Sequence, residues 1–448
     1  MNYVIIGNGT AAIAAIESIR KTDKQNPITL ISRENAHCYS KPMIAHLTAD
    51  EIESDAIYYR DKDFYKTNNV KTLLNTSVAS IDTNKNLVKL ENNSTVSYGK
   101  LLIATGGKQV VPPIEGLDTN GVFMFQTLAD ACAINEFKSK VKHAVVIGAG
   151  LIGIRALHAL EKNNIKVTIV EMLPQILPAF LDKTAAGILE TLIRKNGHVI
   201  HANTKVLKIN SKNGAIESVT LSNGSTVPCE MAVLATGVVP NIDIVKNTKV
   251  KSNKGIVVNK HMLTNVPDVF AAGDAAETTD ASRNIAAINA NMPNAYKQGA
   301  VAGQNMAGTI VEYDGSMSMN SVEFYGVPCI TIGEINPREK DEVFILQSEL
   351  SGFYKKLVVR DNIVKGAILL GNLRFAGTIN KLVQSHANVA EFKNEILTEG
   401  KKWFDFIKNN WKDDMLGNVQ WAPGLSSQQK YVKKVDEDVL KKREQGRF

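Results

Sequence analysis

Two glycine turns constrain this chain more than any other feature. Gly7-Asn8-Gly9-Thr10-Ala11-Ala12 and Gly148-Ala149-Gly150-Leu151-Ile152-Gly153 each follow an apolar run and each open a segment of helical pattern. One such turn is weak evidence, because glycines recur in many loops. Two copies in strand, turn and helix order point to an α/β chain with two dinucleotide sites. Tyr3-Val4-Ile5-Ile6 reads as a short buried strand, followed by an Ala-rich helix to about Arg20. The first glycine permits the tight turn, and the second leaves room for a pyrophosphate against the backbone. The small third residue, Ala12 or Gly153, lets the helix pack closely on its strand. The helix amides and dipole then face the anion. The competing account, in which either turn alone is plain packing, weakens when the turn occurs twice.

The second unit continues through Ala144-Val145-Val146-Ile147 and the next strand, Val167-Thr168-Ile169-Val170, which ends at Glu171. An acid there can accept hydrogen bonds from a ribose 2′-hydroxyl, which favours NAD over NADP. In the first unit the matching position is Ser32, with Glu34 two residues on. Glu34 is preferred for its length and charge.

At 448 residues and 44% hydrophobic, the chain can bury several cores and divide into two or three domains. No apolar run approaches the roughly 20 residues of a membrane span. The chain starts directly in a strand, without signal-peptide regions, so a cytoplasmic location is expected. Cys38, Cys132, Cys229 and Cys329 are scattered, without metal-ligand spacing, and the histidines are dispersed. No metal site is expected. The net charge of +7 is modest, and no basic block is interleaved with aromatics, which argues against nucleic acid and suits an acidic carrier.

Leu101-Leu102-Ile103-Ala104-Thr105-Gly106 and Met231-Ala232-Val233-Leu234-Ala235-Thr236-Gly237 are near repeats. Each reads as a strand ending in a glycine turn where the chain leaves one domain for the next. Val111-Pro112-Pro113 and Val239-Pro240-Asn241 read as extended crossings. A strand at Val269-Phe270-Ala271 then runs into Gly273-Asp274, ahead of a helix from about Met292 to Met306. Asp274 there is suited to hold a ribityl hydroxyl or to order water under a phosphate; the alternative is an ordinary helix cap.

In this order the motifs resemble those of pyridine-nucleotide-dependent FAD oxidoreductases with two dinucleotide-binding domains, with NADH:rubredoxin reductases and ferredoxin-reductase-like flavoproteins the nearest in pattern. The likeness is carried by GNGTAA, Tyr39-Ser40-Lys41-Pro42, ATGG, GAGLIG, ATGVVPN, AAGDAAE and Tyr296-Lys297-Gln298-Gly299, over residues 1 to 310. A weaker likeness at 321–326, 354–359 and 367–371 resembles the family's small C-terminal domain. The implied fold class is α/β: two Rossmann-like three-layer domains, a small α+β C-terminal domain and a helical tail. The implied boundaries are 1–110 with 238–310 for FAD, 111–237 for NAD, 311–390 for the small domain and 391–448 for a helical, basic extension.

The resemblance implies an enzyme that moves hydride from NADH to the flavin N5 and passes electrons to a small redox protein, such as rubredoxin or ferredoxin, or to a larger oxidoreductase complex. Gly7, Gly9, Ala12 and Asp274 are expected to hold FAD, and Gly148, Gly150, Gly153 and Glu171 to hold NADH. Glu34, Lys41, Pro42, Ala104, Thr105, Gly106, Gly237, Gly273 and Asn294 complete the expected cofactor-binding set. The helix opening near Pro293 and Asn294 is suited to aim its positive end at the flavin, where reduction places negative charge. A homodimer is compatible with all of this.

Two departures from the family pattern matter. Many relatives carry a glutamate two residues past the third glycine of the NAD turn, and several pair it with a lysine four residues after the proline of the first segment; Arg155 and His46 stand at those positions here. Both are expected near the flavin, Arg155 adding positive charge beside N5 and raising the potential. The bland alternative pairs Arg155 with an acid on its own helix and leaves His46 solvated. The family's redox-active cysteine pair is also missing, and Cys38 falls a few residues too early to act as the single nucleophile of related oxidases. Electrons are therefore expected to leave for an external acceptor. The alternatives are an NADH oxidase or peroxidase acting on oxygen species, and a redox-sensing or assembly flavoprotein with little turnover. In the tail, Trp403, Phe404, Phe406, Ile407, Trp411 and Met415 recur at nearly helical spacing, ahead of Trp421. They read either as a docking helix or as a segment folded back on the small domain.

Overall fold

The computed structural model describes residues 1–348 and 352–410. Two parallel five-stranded sheets organise it. The first runs Val269–Ala271, Lys100–Ile103, Tyr3–Ile6, Ile28–Ile31, Val70–Leu73, with Ile5 opposite Leu30 and Leu102. The second runs Val199–His201, Lys166–Val170, His143–Ile147, Met231–Leu234, Val122–Met124. The strands of each glycine turn are apolar without alternation because both faces are covered, as parallel sheets require. In each unit one face carries helices and the other a three-stranded antiparallel sheet, Val78–Ser97 in the first and Val206–Pro228 in the second. These are the three-layer α/β units expected.

The first-turn helix, Thr10–Thr22, lies against the helix Met292–Met306 with the two backbones touching. A Cβ on Gly299 would come 2.1 Å from the Ala11 carbonyl oxygen, and one on Gly303 2.5 Å from that of Ala15. Residues late in the chain thus brace the first dinucleotide turn. The second extended crossing forms one strand of a short antiparallel ribbon, Gly107–Gln109 with Val238–Pro240, and the first crossing follows the other strand, so the chain leaves and re-enters the first unit at one place.

The C-terminal unit is an antiparallel sheet in the order Met319–Phe324, Val327–Gly333, Ile363–Leu370, Phe353–Arg360, Glu342–Ser348, backed by the helix Ala376–Ser385. Its core continues past residue 390 through Phe392, Ile396 and Leu397 to Trp403, so the expected break at 390 falls inside that core. Trp403, on the helix Lys401–Asn410, is fully buried, its ring 5.7 Å from Phe392 and 6.0 Å from Phe375. The start of the tail is therefore folded back on the small domain. Trp411, Met415 and Trp421 lie outside the described residues. Among the described residues no helix is long and apolar enough to cross a membrane.

Candidate functional site

The two glycine turns share one geometry. Gly7 and Gly148 have φ of +113° and +106°, and a Cβ there would meet the carbonyl oxygens of Ala104 and Ala235 at 2.0 and 2.4 Å. Only glycine accepts that backbone at that approach. Gly9 and Gly150 cap the following helices, and a Cβ on either would point into open space. Neither helix has an acid in its first turn, so the amide ends are left positive toward that space. Gly153 has the packing role expected of a third small residue, since its Cβ would strike the Gly148 oxygen at 2.0 Å. Ala12, fully buried, does the same in the first unit.

Both open spaces belong to one cleft of about 1640 Å³. That exceeds the roughly 300–1,000 Å³ usual for a single small ligand. Gly7, Gly9, Glu34, Lys41, Pro42, Ala104, Thr105, Gly106, Gly148, Gly150, Arg155, Glu171, Gly237, Gly273 and Asp274 all line it. The helix opening expected at Pro293 does reach the cleft, but sequence reasoning missed the rest of the third wall, Asn289–Met292 together with Ser318–Ser321 at the start of the C-terminal unit. No motif marks those residues; only the fold brings them to the cleft.

Asp274 sits in a single 3₁₀ turn, Gly273–Ala275, and caps no long helix; Asn291 caps Met292–Met306, its side chain accepting from the Asn294 amide at 2.9 Å. Among the described residues the Asp274 carboxylate has no hydrogen-bond partner. Burial pushes its pKa up, and the charge of Lys41 pulls it back. Glu34 accepts from the Tyr39 hydroxyl at 2.5 Å and from Lys41 at 3.1 Å. Ser32, its rival, also lines the cleft. Glu171 is buried, and both its oxygens accept backbone amides, Ala149 at 2.6 Å and Leu173 at 2.9 Å.

Asn294 is a correction. Its side-chain amide donates to the carbonyls of Asn289 (2.9 Å) and Met317 (3.0 Å), and it does not line the cleft. The residue shapes the third wall from behind, because both N–H groups of its side-chain amide are turned to the loops at Asn289 and Met317.

Arg155 and His46 separate, a second correction. Arg155 lines the cleft and, among the described residues, makes no hydrogen bond or ion pair. Burial lowers its pKa, and the charges of Glu323 and Glu51 work against that shift. His46 points elsewhere, with Nδ1 2.6 Å from Glu51 Oε2. The other Glu51 oxygen lies 3.0 Å from His158 Nε2 and 3.5 Å from the Lys162 ammonium. Burial raises the Glu51 pKa, but the bonds from His158 and His46 outweigh it and hold the carboxyl below its ordinary value. The carboxylate thus draws the imidazole away from the cleft. The helical spacing of Arg155, His158 and Lys162 was the available sign that these groups share a face.

Cys38 is buried outside the cleft lining, with Sγ 3.3 Å from His37 Nδ1. Burial pushes its thiol up to about 11. Such a group holds little of the reactive thiolate at neutral pH.

A family model described as pyridine nucleotide-disulphide oxidoreductase matches residues 1–299, and one described as rubredoxin NAD+ reductase C-terminal domain matches residues 319–387. The chain is 34% identical over 358 residues to NADH-dependent phenylglyoxylate dehydrogenase subunit epsilon of Aromatoleum evansii, covering 80% of this chain and 85% of that one. It is 33% identical over 322 residues to an NADH oxidase of Methanocaldococcus jannaschii, covering 70% and 71%. Among solved structures, NADH:rubredoxin oxidoreductase from Clostridium acetobutylicum matches with a TM-score of 0.74 at 25% identity, over 89% of this chain and 99% of that one.

Proposed function

Because this chain belongs to the pyridine nucleotide-disulphide oxidoreductase family, we propose that it is an FAD-dependent NADH:acceptor oxidoreductase that passes electrons to a small redox protein or a partner subunit. The observation that carries the reading is the single cleft into which both glycine turns open. FAD, when bound, accepts hydride and releases electrons singly, chemistry that no side chain offers. The residues fit such a group. The space beside Gly9 would take a pyrophosphate, and the unpartnered Asp274 carboxylate would accept a ribityl hydroxyl. Gly150 offers the same cradle to NADH, with Glu171 in reach of a ribose. Residues 1–110 with 238–310 then serve FAD and 111–237 serve NADH, in a protein we place in the cytoplasm.

The preference for NADH rests on Glu171, which repels a 2′-phosphate, and on the uncharged, exposed Met172 and Leu173 beside it. Lys205 lines the same cleft and is the residue that an NADPH-accepting result would implicate. A protein acceptor is favoured because Cys38, the thiol nearest the first turn, is buried and protonated.

The test is anaerobic stopped-flow mixing of the FAD-loaded protein with NADH and, separately, NADPH. Fast flavin bleaching by NADH, followed by reoxidation on adding an oxidised carrier such as rubredoxin, is the expected result. The similarity to an NADH oxidase favours a second reading, direct oxygen reduction. Rapid NADH consumption in air without any carrier would install that reading, and no bleaching would remove both.

A further inference from the structure

Outside the cleft, His46, Glu51 and His158 converge from separate parts of the chain. His46 lies on the short helix Ile44–Thr48, Glu51 just beyond it, and His158 on the helix of the second glycine turn, Leu151–Lys162. One nitrogen of each imidazole faces its own oxygen of the Glu51 carboxylate, at 2.6 and 3.0 Å, and the three donor atoms lie within 4.8 Å of one another. Their side chains are 26%, 21% and 26% exposed, respectively, so the cluster is sheltered yet open to an entering ion.

We propose that His46, Glu51 and His158 form a site for a divalent transition ion of the Zn²⁺ type. Imidazole nitrogen and carboxylate oxygen are the ligands such an ion prefers, and three protein ligands leave one position for water. Zinc–ligand bonds of about 2.0–2.2 Å in tetrahedral geometry place donor atoms roughly 3.3 Å apart. The two imidazole–carboxylate separations therefore open by less than an ångström to admit the ion, and the remaining donor separations, within 4.8 Å, close by at most about 1.5 Å. The Lys162 ammonium, 3.5 Å from Glu51 and half exposed, has a flexible stem on which to withdraw into solvent. Sequence spacing gave no hint of this set, because its members come from both dinucleotide units. That origin also states what the ion does. It pins the segment after the first-unit motif to the helix of the second turn, at a contact already held by Asn163, whose amide donates to the Thr48 carbonyl at 2.9 Å.

The experiment uses the full-length, FAD-loaded protein, stripped with a chelator and freed of any affinity tag. Cys132, an exposed thiol, is replaced by serine in every sample so that it cannot act as the ligand. Calorimetric titration with ZnCl₂ is expected to give one ion per chain with micromolar or tighter affinity and a raised melting temperature. His46→Gln and His158→Gln keep a side-chain amide to hydrogen-bond Glu51 but remove a metal ligand. Each is expected to weaken binding beyond the roughly 100-fold that losing an outer-shell partner costs. Co²⁺ added in place of zinc should give visible low-coordinate bands that vanish in His158→Gln. Affinity and stoichiometry unchanged in the glutamine variants, or binding no tighter than millimolar, would overturn the proposal and leave the cluster a hydrogen-bonded clamp.

Discussion

Glu171 accepts the backbone N–H of Ala149 at 2.6 Å, so the acid that ends one strand holds the glycine turn that ends its neighbour. The same carboxylate accepts the Leu173 amide. Removing it in Glu171→Ala strands two amides, and a loss of about 1–3 kcal/mol in urea unfolding is expected. The KM for NADH should rise about tenfold as well, by loss of a ribose acceptor worth ~1.4 kcal/mol. A fall in stability with KM unmoved would assign Glu171 to the turn alone.

Gly299→Ala should destabilise the protein by about 1–3 kcal/mol and lower its FAD content, because the added methyl meets backbone that cannot step aside. Gly187 provides the opposite case. It lies exposed inside the helix Lys183–Lys195, with nothing near its missing Cβ. Gly187→Ala should stabilise by roughly 0.5–1 kcal/mol. Urea melts of the pair check both signs.

Arg155 is a part-buried cation without an ion-pair partner among the described residues. Arg155→Met should therefore cost no stability, and is expected to gain up to about 2 kcal/mol, since replacing a poorly compensated buried charge by an apolar chain is often stabilising. The same variant should slow flavin reduction by NADH about tenfold and make the flavin potential more negative. Equal rates and potentials for wild type, Arg155→Met and Arg155→Glu would reduce this residue to packing.

Asp182 ties the second unit to the C-terminal sheet. It caps the helix Lys183–Lys195 and accepts from Tyr354 at 2.7 Å and Lys356 at 2.9 Å. Burial raises its pKa, but those bonds win and hold the carboxyl below its ordinary value. A carboxylate depressed in the folded state stabilises above the unfolded pKa of about 3.9, and that contribution is lost as pH falls through the folded value. The wild-type melting temperature should fall more steeply than that of Asp182→Asn between about pH 5 and pH 3. Parallel curves would show that this contact does not titrate with folding.

The turns, their strands and the helix Met292–Met306 were legible because each is written in local residues, and a turn that brings a carbonyl as close as at Gly7 and Gly148 can be written only with glycine. Glu171 lines the cleft, while its bond to Ala149 has no sign in the sequence, since a backbone amide carries no signal there. Arg155 lines the cleft as its motif position implied, whereas Asn294 and His46 point away from it for one reason. Motif position gives a residue's place on the chain, while the direction of its side chain depends on partners such as Met317 and Glu51, which come from elsewhere. The third wall, Ser318–Ser321, is legible only once the C-terminal unit is docked.

The first sheet joins strands that are far apart in time as well as in sequence. Lys100–Ile103 waits for its neighbour Val269–Ala271 while the whole second sheet, Val122 to Leu234, is made in between. At about 5–20 residues per second the ribosome takes roughly ten to thirty seconds to pass from Ile103 to Val269. The inserted unit therefore has all its strands first, and the unit that begins the chain is the later of the two to close. A nascent chain stalled shortly before Val269 has left the ribosome should present a folded second unit beside an open-edged first one. Chaperone binding during translation should concentrate on that edge.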